Sequence, residues 1–209
     1  MTRVVLVGRS SSHFTRVARL FALELGVEHD FSPVYDIVSR DATTYSDNPA
    51  LRVPSLRTEN GTWFGSQFVC RELARRAARS VTVVWPEDLT DVASSNAQEL
   101  VLETMAAEVT LVMARAAKLD EAHAFLEKPR ARIDASVLWL ERELPGVLAR
   151  LPERSLSFLE VTAFCLCTHL VFREVRSLDD CPRLSAFARA FGARESARLT
   201  EYRFDAPPV

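Results

Sequence analysis

Six residues near the start, Arg3-Val4-Val5-Leu6-Val7-Gly8, form a short apolar run of strand type that ends on glycine. Three serines, Ser10, Ser11 and Ser12, follow almost at once and open a segment of helical spacing. A strand that runs directly into a helix commits the start of the chain to an α/β layer. The junction is also chemically informative. A helix N-terminus offers unpaired backbone N–H groups and a partial positive charge of about half a unit, so a hydroxyl or thiolate placed there meets a ready-made anion site.

The pattern continues in the same style for about eighty residues and then changes. Phe14, Val17, Ala18, Phe21, Ala22 and Leu25 repeat with the spacing of a helix that buries one face, and Gly26 is its natural stop. His29 to Val38 reads as a second, less regular strand, and the polar stretch Ser39 to Pro49 as a surface segment. Leu51 to Leu56 and Thr62 to Phe64 form a hairpin across Glu59-Asn60-Gly61, followed by a helix from Ser66 to about Arg79.

From Glu87 onward the periodicity is helical throughout: Val92 to Ala117, Glu121 to Leu144, Ser157 to Val175 and Pro182 to Phe191, with no strand expected among them. Leu144-Pro145-Gly146 and Leu151-Pro152 are expected to break helices. The predicted organisation is an α/β domain with a mixed sheet over residues 1–80, a linker over 81–89 and an all-α domain over 90–209.

Composition excludes several classes. A formal net charge of −2 gives no electrostatic reason to expect nucleic acid, which asks for a basic face. There is no apolar stretch of about 18 residues and no charged-then-apolar leader, so a cytoplasmic protein without a membrane role is expected. The four cysteines, Cys70, Cys165, Cys167 and Cys181, are too few and too irregular for a disulfide framework. Cys165 and Cys167 lack the two-residue gap of a zinc or redox pair and read as small core residues, and no metal is expected.

Four landmarks occur in an order that resembles the cytosolic glutathione transferases of the bacterial, serine-type kind, over nearly the whole chain. Ser12-His13-Phe14-Thr15-Arg16-Val17-Ala18-Arg19, with Gly26 at its end, is similar to the family's serine-led first helix. Asn48-Pro49 through Val53-Pro54 resembles its N-P-x-x-x-V-P segment, and Gly65-Ser66 stands where an acidic residue and a serine open the next helix. Ser157-Phe158-Leu159-Glu160 looks like the capping box of its core helix, in which hydroxyl and carboxylate each cap the other's backbone N–H.

The resemblance implies a thioredoxin-like domain followed by an all-helical one, glutathione as co-substrate, a small electrophilic second substrate and a homodimer. Ser12 would donate to the thiolate, with Ser11 its main rival. Val53, before a cis Pro54, would pair with the cysteinyl backbone, and Ser66 would hold the γ-glutamyl carboxylate. Gly65 replaces the usual acidic partner of the glutathione amino group, Gln67 supplies a neutral acceptor beside it, and Arg52 could reach the glycine carboxylate.

His13 is expected as a partly exposed first-turn residue. An electrophile pocket is expected around His13, Phe14, Met105, Val109, Val112 and Met113. Serine rather than cysteine at position 12 favours conjugation over mixed-disulfide chemistry. The competing readings are a non-catalytic interaction protein on the same fold, in the manner of the stringent-starvation proteins, and a glutathione-dependent isomerase or dehalogenase.

Overall fold

The computed structural model describes residues 3–207, which fall into two compact units. One runs up to Val81 and includes the chain from Arg194 onward, and the other spans Thr82–Ala193. Residues from 194 on, read from sequence as the end of the helical half, therefore group with the sheet.

In the first unit β1 (Val4–Gly8), β2 (His29–Pro33), β3 (Ser55–Thr58) and β4 (Gly61–Phe64) form one mixed sheet in the order β2-β1-β3-β4. β1 is parallel to β2 and antiparallel to β3, and β3 is antiparallel to β4. Helices α1 (His13–Glu24) and α2 (Ser66–Arg75) pack on each other and on the sheet. Strand alternation sends Leu6 to the face opposite Val5 and Val7. Val7 joins Val34 and Tyr45 in a buried cluster, with Val5, Ile37, Leu51 and Val53 packed against it.

Gly8 is where β1 and α1 meet most closely. A Cβ there would lie 2.3 Å from the Thr15 Cγ2 atom, so only glycine lets the helix sit this near the strand. Thr15 Oγ1 in turn accepts the Arg9 N–H at 3.2 Å, which fixes the turn between the two elements.

Several expectations are corrected. β2 ends at Pro33 rather than Val38, and α2 at Arg75 rather than near Arg79. β3 begins only at Ser55, because Val53-Pro54 is a cis peptide at its entrance. The polar segment 39–49 is not simply surface. Tyr45 is fully buried, its hydroxyl donating to the Ile37 and Ser39 carbonyls at 2.9 and 3.1 Å.

The second unit holds α3 (Val92–Ala116), α4 (Glu127–Arg150), α5 (Phe158–Phe172) and α6 (Pro182–Gly192). It also contains two strands of two residues each, β5 (Val83–Val84) and β6 (Leu156–Ser157), paired in parallel where no strand was expected. α4 runs through Pro145 rather than stopping there; Leu144 and Val147, on either side of the proline, are both buried, and that packing carries the helix across the missing N–H. No helix is long and apolar enough to cross a membrane among the described residues. The last helix, α7 (Glu195–Leu199), belongs to the first unit.

Candidate functional site

The register of the sheet gathers the sequence landmarks at one end of three adjacent strands. Val7 pairs with Ser55, and Ser55 with Phe64. The exit of β1 toward Ser12, the entrance to β3 after Pro54 and the exit of β4 toward Ser66 therefore lie side by side. Gly65 N–H donates to the Pro54 carbonyl at 3.1 Å and ties two of them directly.

Ser12 is the N-cap of α1, with extended backbone and a half-buried side chain. Its Oγ accepts the Thr15 N–H at 3.3 Å, so the hydroxyl keeps its own proton to donate elsewhere. The Ser12 N–H closes a turn onto the Arg9 carbonyl at 3.1 Å. Ser10 and Ser11 in that turn are buried. Of the three serines, Ser12 has the most accessible hydroxyl and the one set at the positive end of the helix.

The approach to Pro54 is held by Asn48. Its side-chain amide donates to the Arg52 carbonyl at 2.8 Å and its Oδ1 accepts the Ala50 N–H at 3.0 Å. That bracing leaves Val53 half-buried and Arg52 exposed. Asn48 itself is buried, so this member of the sequence motif acts on the shape of the loop.

At the third landmark Gly65 is the N-cap of α2, with φ +77° and ψ 146°. This backbone region is essentially reserved for glycine, and a side chain there would meet open space rather than a clash. The missing acidic side chain thus goes with a relaxed turn. Ser66 is the first residue of α2 and buried, and Gln67 is half-buried beside it.

His13 is buried, 1% exposed, not the partly exposed residue expected. It lies on the same helical stripe as Arg16, Val17 and Leu20, all buried, and its ring meets Phe14 edge-on at 4.5 Å. In the helical unit Met105 has no exposed surface, whereas Val109 is 38% exposed and Val112 and Met113 are half-buried. A recess of about 250 Å³ in the same unit is lined instead by Leu111, Arg115, Leu126, Arg130 and Ile133 among others. None of Met105, Val109, Val112 or Met113 lines it.

All four cysteines are free and buried, and burial pushes the Cys167 thiol up to about 12. The Ser157 hydroxyl caps α5 by accepting the Glu160 N–H at 3.2 Å. The Glu160 carboxylate turns away from the expected reciprocal cap to a two-point pair with Arg154 at 2.7 and 2.8 Å, the stronger bond for a charged group. Sequence reasoning missed a buried pair in this unit: Glu108 Oε1 on α3 lies 2.7 Å from His169 Nδ1 on α5.

The mixed sheet, the cis proline at the head of β3 and the two helix starts at one end of the sheet define a thioredoxin-like domain, here joined to a helical one. Residues 6–80 match the family described as glutathione S-transferase, N-terminal domain. Solved structures have the same fold across the whole chain. One is a glutathione transferase family member from Pseudomonas fluorescens with bound glutathione, 23% identical with a TM-score of 0.76, covering 99% of this chain and 100% of that one.

Two others are glutathione S-transferases. The one from Methylobacillus flagellatus, with glutathione bound, is 17% identical at a TM-score of 0.75, covering 96% of this chain and 100% of that one. The one from Methylobacterium radiotolerans, in complex with glutathione sulfonate, is 18% identical at a TM-score of 0.75, covering 100% of this chain and 99% of that one. No curated protein matches the chain by sequence.

Proposed function

We propose that the protein is a glutathione transferase that adds the glutathione thiolate to a small apolar electrophile. The observation that carries this reading is the register Val7–Ser55–Phe64, which brings the strand ends next to Ser12, Val53-Pro54 and Ser66 to the same end of the sheet. The Ser12 hydroxyl donates a hydrogen bond to the thiolate, and the N-terminus of α1 lowers the cost of the charge. Val53 offers its backbone to the cysteinyl unit. Ser66 and the first N–H groups of α2 hold the γ-glutamyl carboxylate, Gln67 accepts from the amino group and Arg52 meets the glycine carboxylate.

The sulfur then attacks a carbon centre; the C–S bond forms as the electron pair passes to a leaving group or to a protonated acceptor. Positioning and thiol ionisation supply most of the acceleration. Phe14, Val109, Val112 and Met113 are the apolar residues with exposed surface that suit the electrophile, while buried Met105 and His13 support the helices that carry them. A role in detoxification, a cytoplasmic setting and a homodimer accompany the reading. Exposed Phe64 and Phe68 provide apolar surface for a second copy. Neither nucleic acid nor a membrane enters the chemistry.

One observation favours a different reading. Gly65 withholds the carboxylate that would meet the glutathione amino group, as suits a non-catalytic interaction protein on this fold. Isothermal titration with reduced glutathione separates the two. Saturable heat that weakens at least about tenfold in Ser66→Ala supports the transferase. No heat at millimolar glutathione sinks it and directs attention to a protein partner. An isomerase or dehalogenase shares the glutathione site and is told apart by its second substrate alone.

A further inference from the structure

The last residues of the chain run along α1 against its direction, from its end to its beginning. At the far end Glu24 accepts the Ser196 hydroxyl at 2.5 Å and pairs with Arg194 at 3.3 Å. In the middle Arg19 Nη2 donates to the Leu199 carbonyl at 3.3 Å. Arg16, only 4% exposed, donates to the Ala197 carbonyl at 3.0 Å and to Thr200 Oγ1 at 3.4 Å, and its guanidinium stacks 4.3 Å from the Tyr202 ring centre. At the near end the carboxylate of Asp205 accepts the Ser10 N–H at 2.7 Å.

A buried arginine is a costly anchor unless its donors are used, so this line of contacts holds the segment firmly to one helix. It ends at the turn that carries Ser12. Ser10 is the second residue of the turn closed by Ser12 N–H on the Arg9 carbonyl, and its side chain is buried. A bond from a backbone N–H to an ionised carboxylate is short and about twice as strong as a neutral one. Asp205 is also close enough to Arg19 for its charge to act on that guanidinium.

We propose that Asp205 is a positioning residue for the thiol site: borne to the start of α1 by the C-terminal segment, it clamps the Arg9–Ser12 turn through the Ser10 N–H. The clamp holds the Ser12 hydroxyl where the thiol is to bind. This rests on the transferase reading and adds a requirement to it. The site made by the first sixty-odd residues is completed by a residue almost at the other end of the chain, 195 positions from Ser10. Glutathione itself is gripped at Val53 and Ser66, so the clamp affects how the bound thiol is presented and not how tightly the tripeptide is held.

The test compares full-length Asp205→Ala and Asp205→Asn with wild type, using glutathione and chlorodinitrobenzene as the probe pair. Asp205→Ala should lose about tenfold in kcat with KM for glutathione unchanged within about twofold, the signature of misplacement in a bound complex. Asp205→Asn still offers an acceptor and should stay within about threefold of wild type. Hydrogen exchange at the Ser10 amide gives a second reading: protected in wild type and Asp205→Asn, fast in Asp205→Ala. Wild-type kcat in Asp205→Ala, equal losses in both variants, or an unprotected Ser10 amide in wild type would each overturn the proposal. Wild type that neither binds nor turns over glutathione marks failure of the underlying reading instead, even where the Ser10 amide is protected.

Discussion

The strand ends of the first unit and the core of the second treat polar groups in opposite ways. At one end of the sheet the chemistry-bearing groups sit on strand and helix ends: the N-cap hydroxyl of Ser12, the backbone before Pro54 and the first turn of α2, each half-buried or next to solvent. In the helical unit two ionisable side chains are sealed inside, with Glu108 fully buried and 2.7 Å from His169. The difference teaches where function and stability are stored. Groups at helix starts draw on backbone dipoles and remain available to a ligand. A buried pair is closed to solvent and shapes the core.

The largest effect should come from splitting that pair. Glu108→Ala leaves an imidazole buried without its carboxylate and should cost about 3–5 kcal/mol in urea unfolding. A loss near that of an exposed ion pair would erase the distinction between the units. Next comes Gly8→Ala, which sets a methyl group 2.3 Å from the fully buried Thr15 side chain. It should cost about 1–3 kcal/mol by overpacking, read from the same transition.

Ser157→Ala sharpens the comparison at the level of caps. It removes the bond to Glu160 N–H at the start of α5 and should cost about 1 kcal/mol in thermal or urea unfolding, with glutathione binding intact. Ser12→Ala removes a cap of similar length on α1 but should be marked by lost turnover beyond its stability loss.

The smallest effect at neutral pH concerns Cys167. Its folded pKa, about 12, lies above the unfolded value, so the neutral thiol's contribution is complete below about pH 9 and is lost as pH rises toward 12. Native protein at neutral pH should leave Cys167 unlabelled by iodoacetamide, with labelling after denaturation. Rapid native labelling would show that the helical core is more open than its packing implies.

Much of this end of the sheet was legible because it is local. A run of four apolar residues ending on glycine, an N-cap serine followed by helical spacing and an Asn-Gly turn each announce themselves within a few positions. What escaped depends on contacts distant in sequence. Tyr45 looked like part of a polar loop because one aromatic, bonded to the Ile37 and Ser39 carbonyls, anchors it without any periodicity. The Glu108–His169 pair and the run of residues 194–205 along α1 join elements with no shared pattern. β5 and β6 are two residues long, too short for alternation to register. Pro145 misled because a helix break was read from one residue, while Leu144 and Val147 on both sides of it are buried in the core.

The central claim is that Ser12, at the start of α1, stabilises a bound thiolate. It is tested most directly by following the thiolate absorbance of bound glutathione against pH in wild type and in Ser12→Ala. In wild type the bound thiol should titrate at least about one unit below its free value of about 8.5, and in Ser12→Ala it should return to within a few tenths of that value. Identical titrations in the two proteins, with glutathione bound in both, would contradict the account.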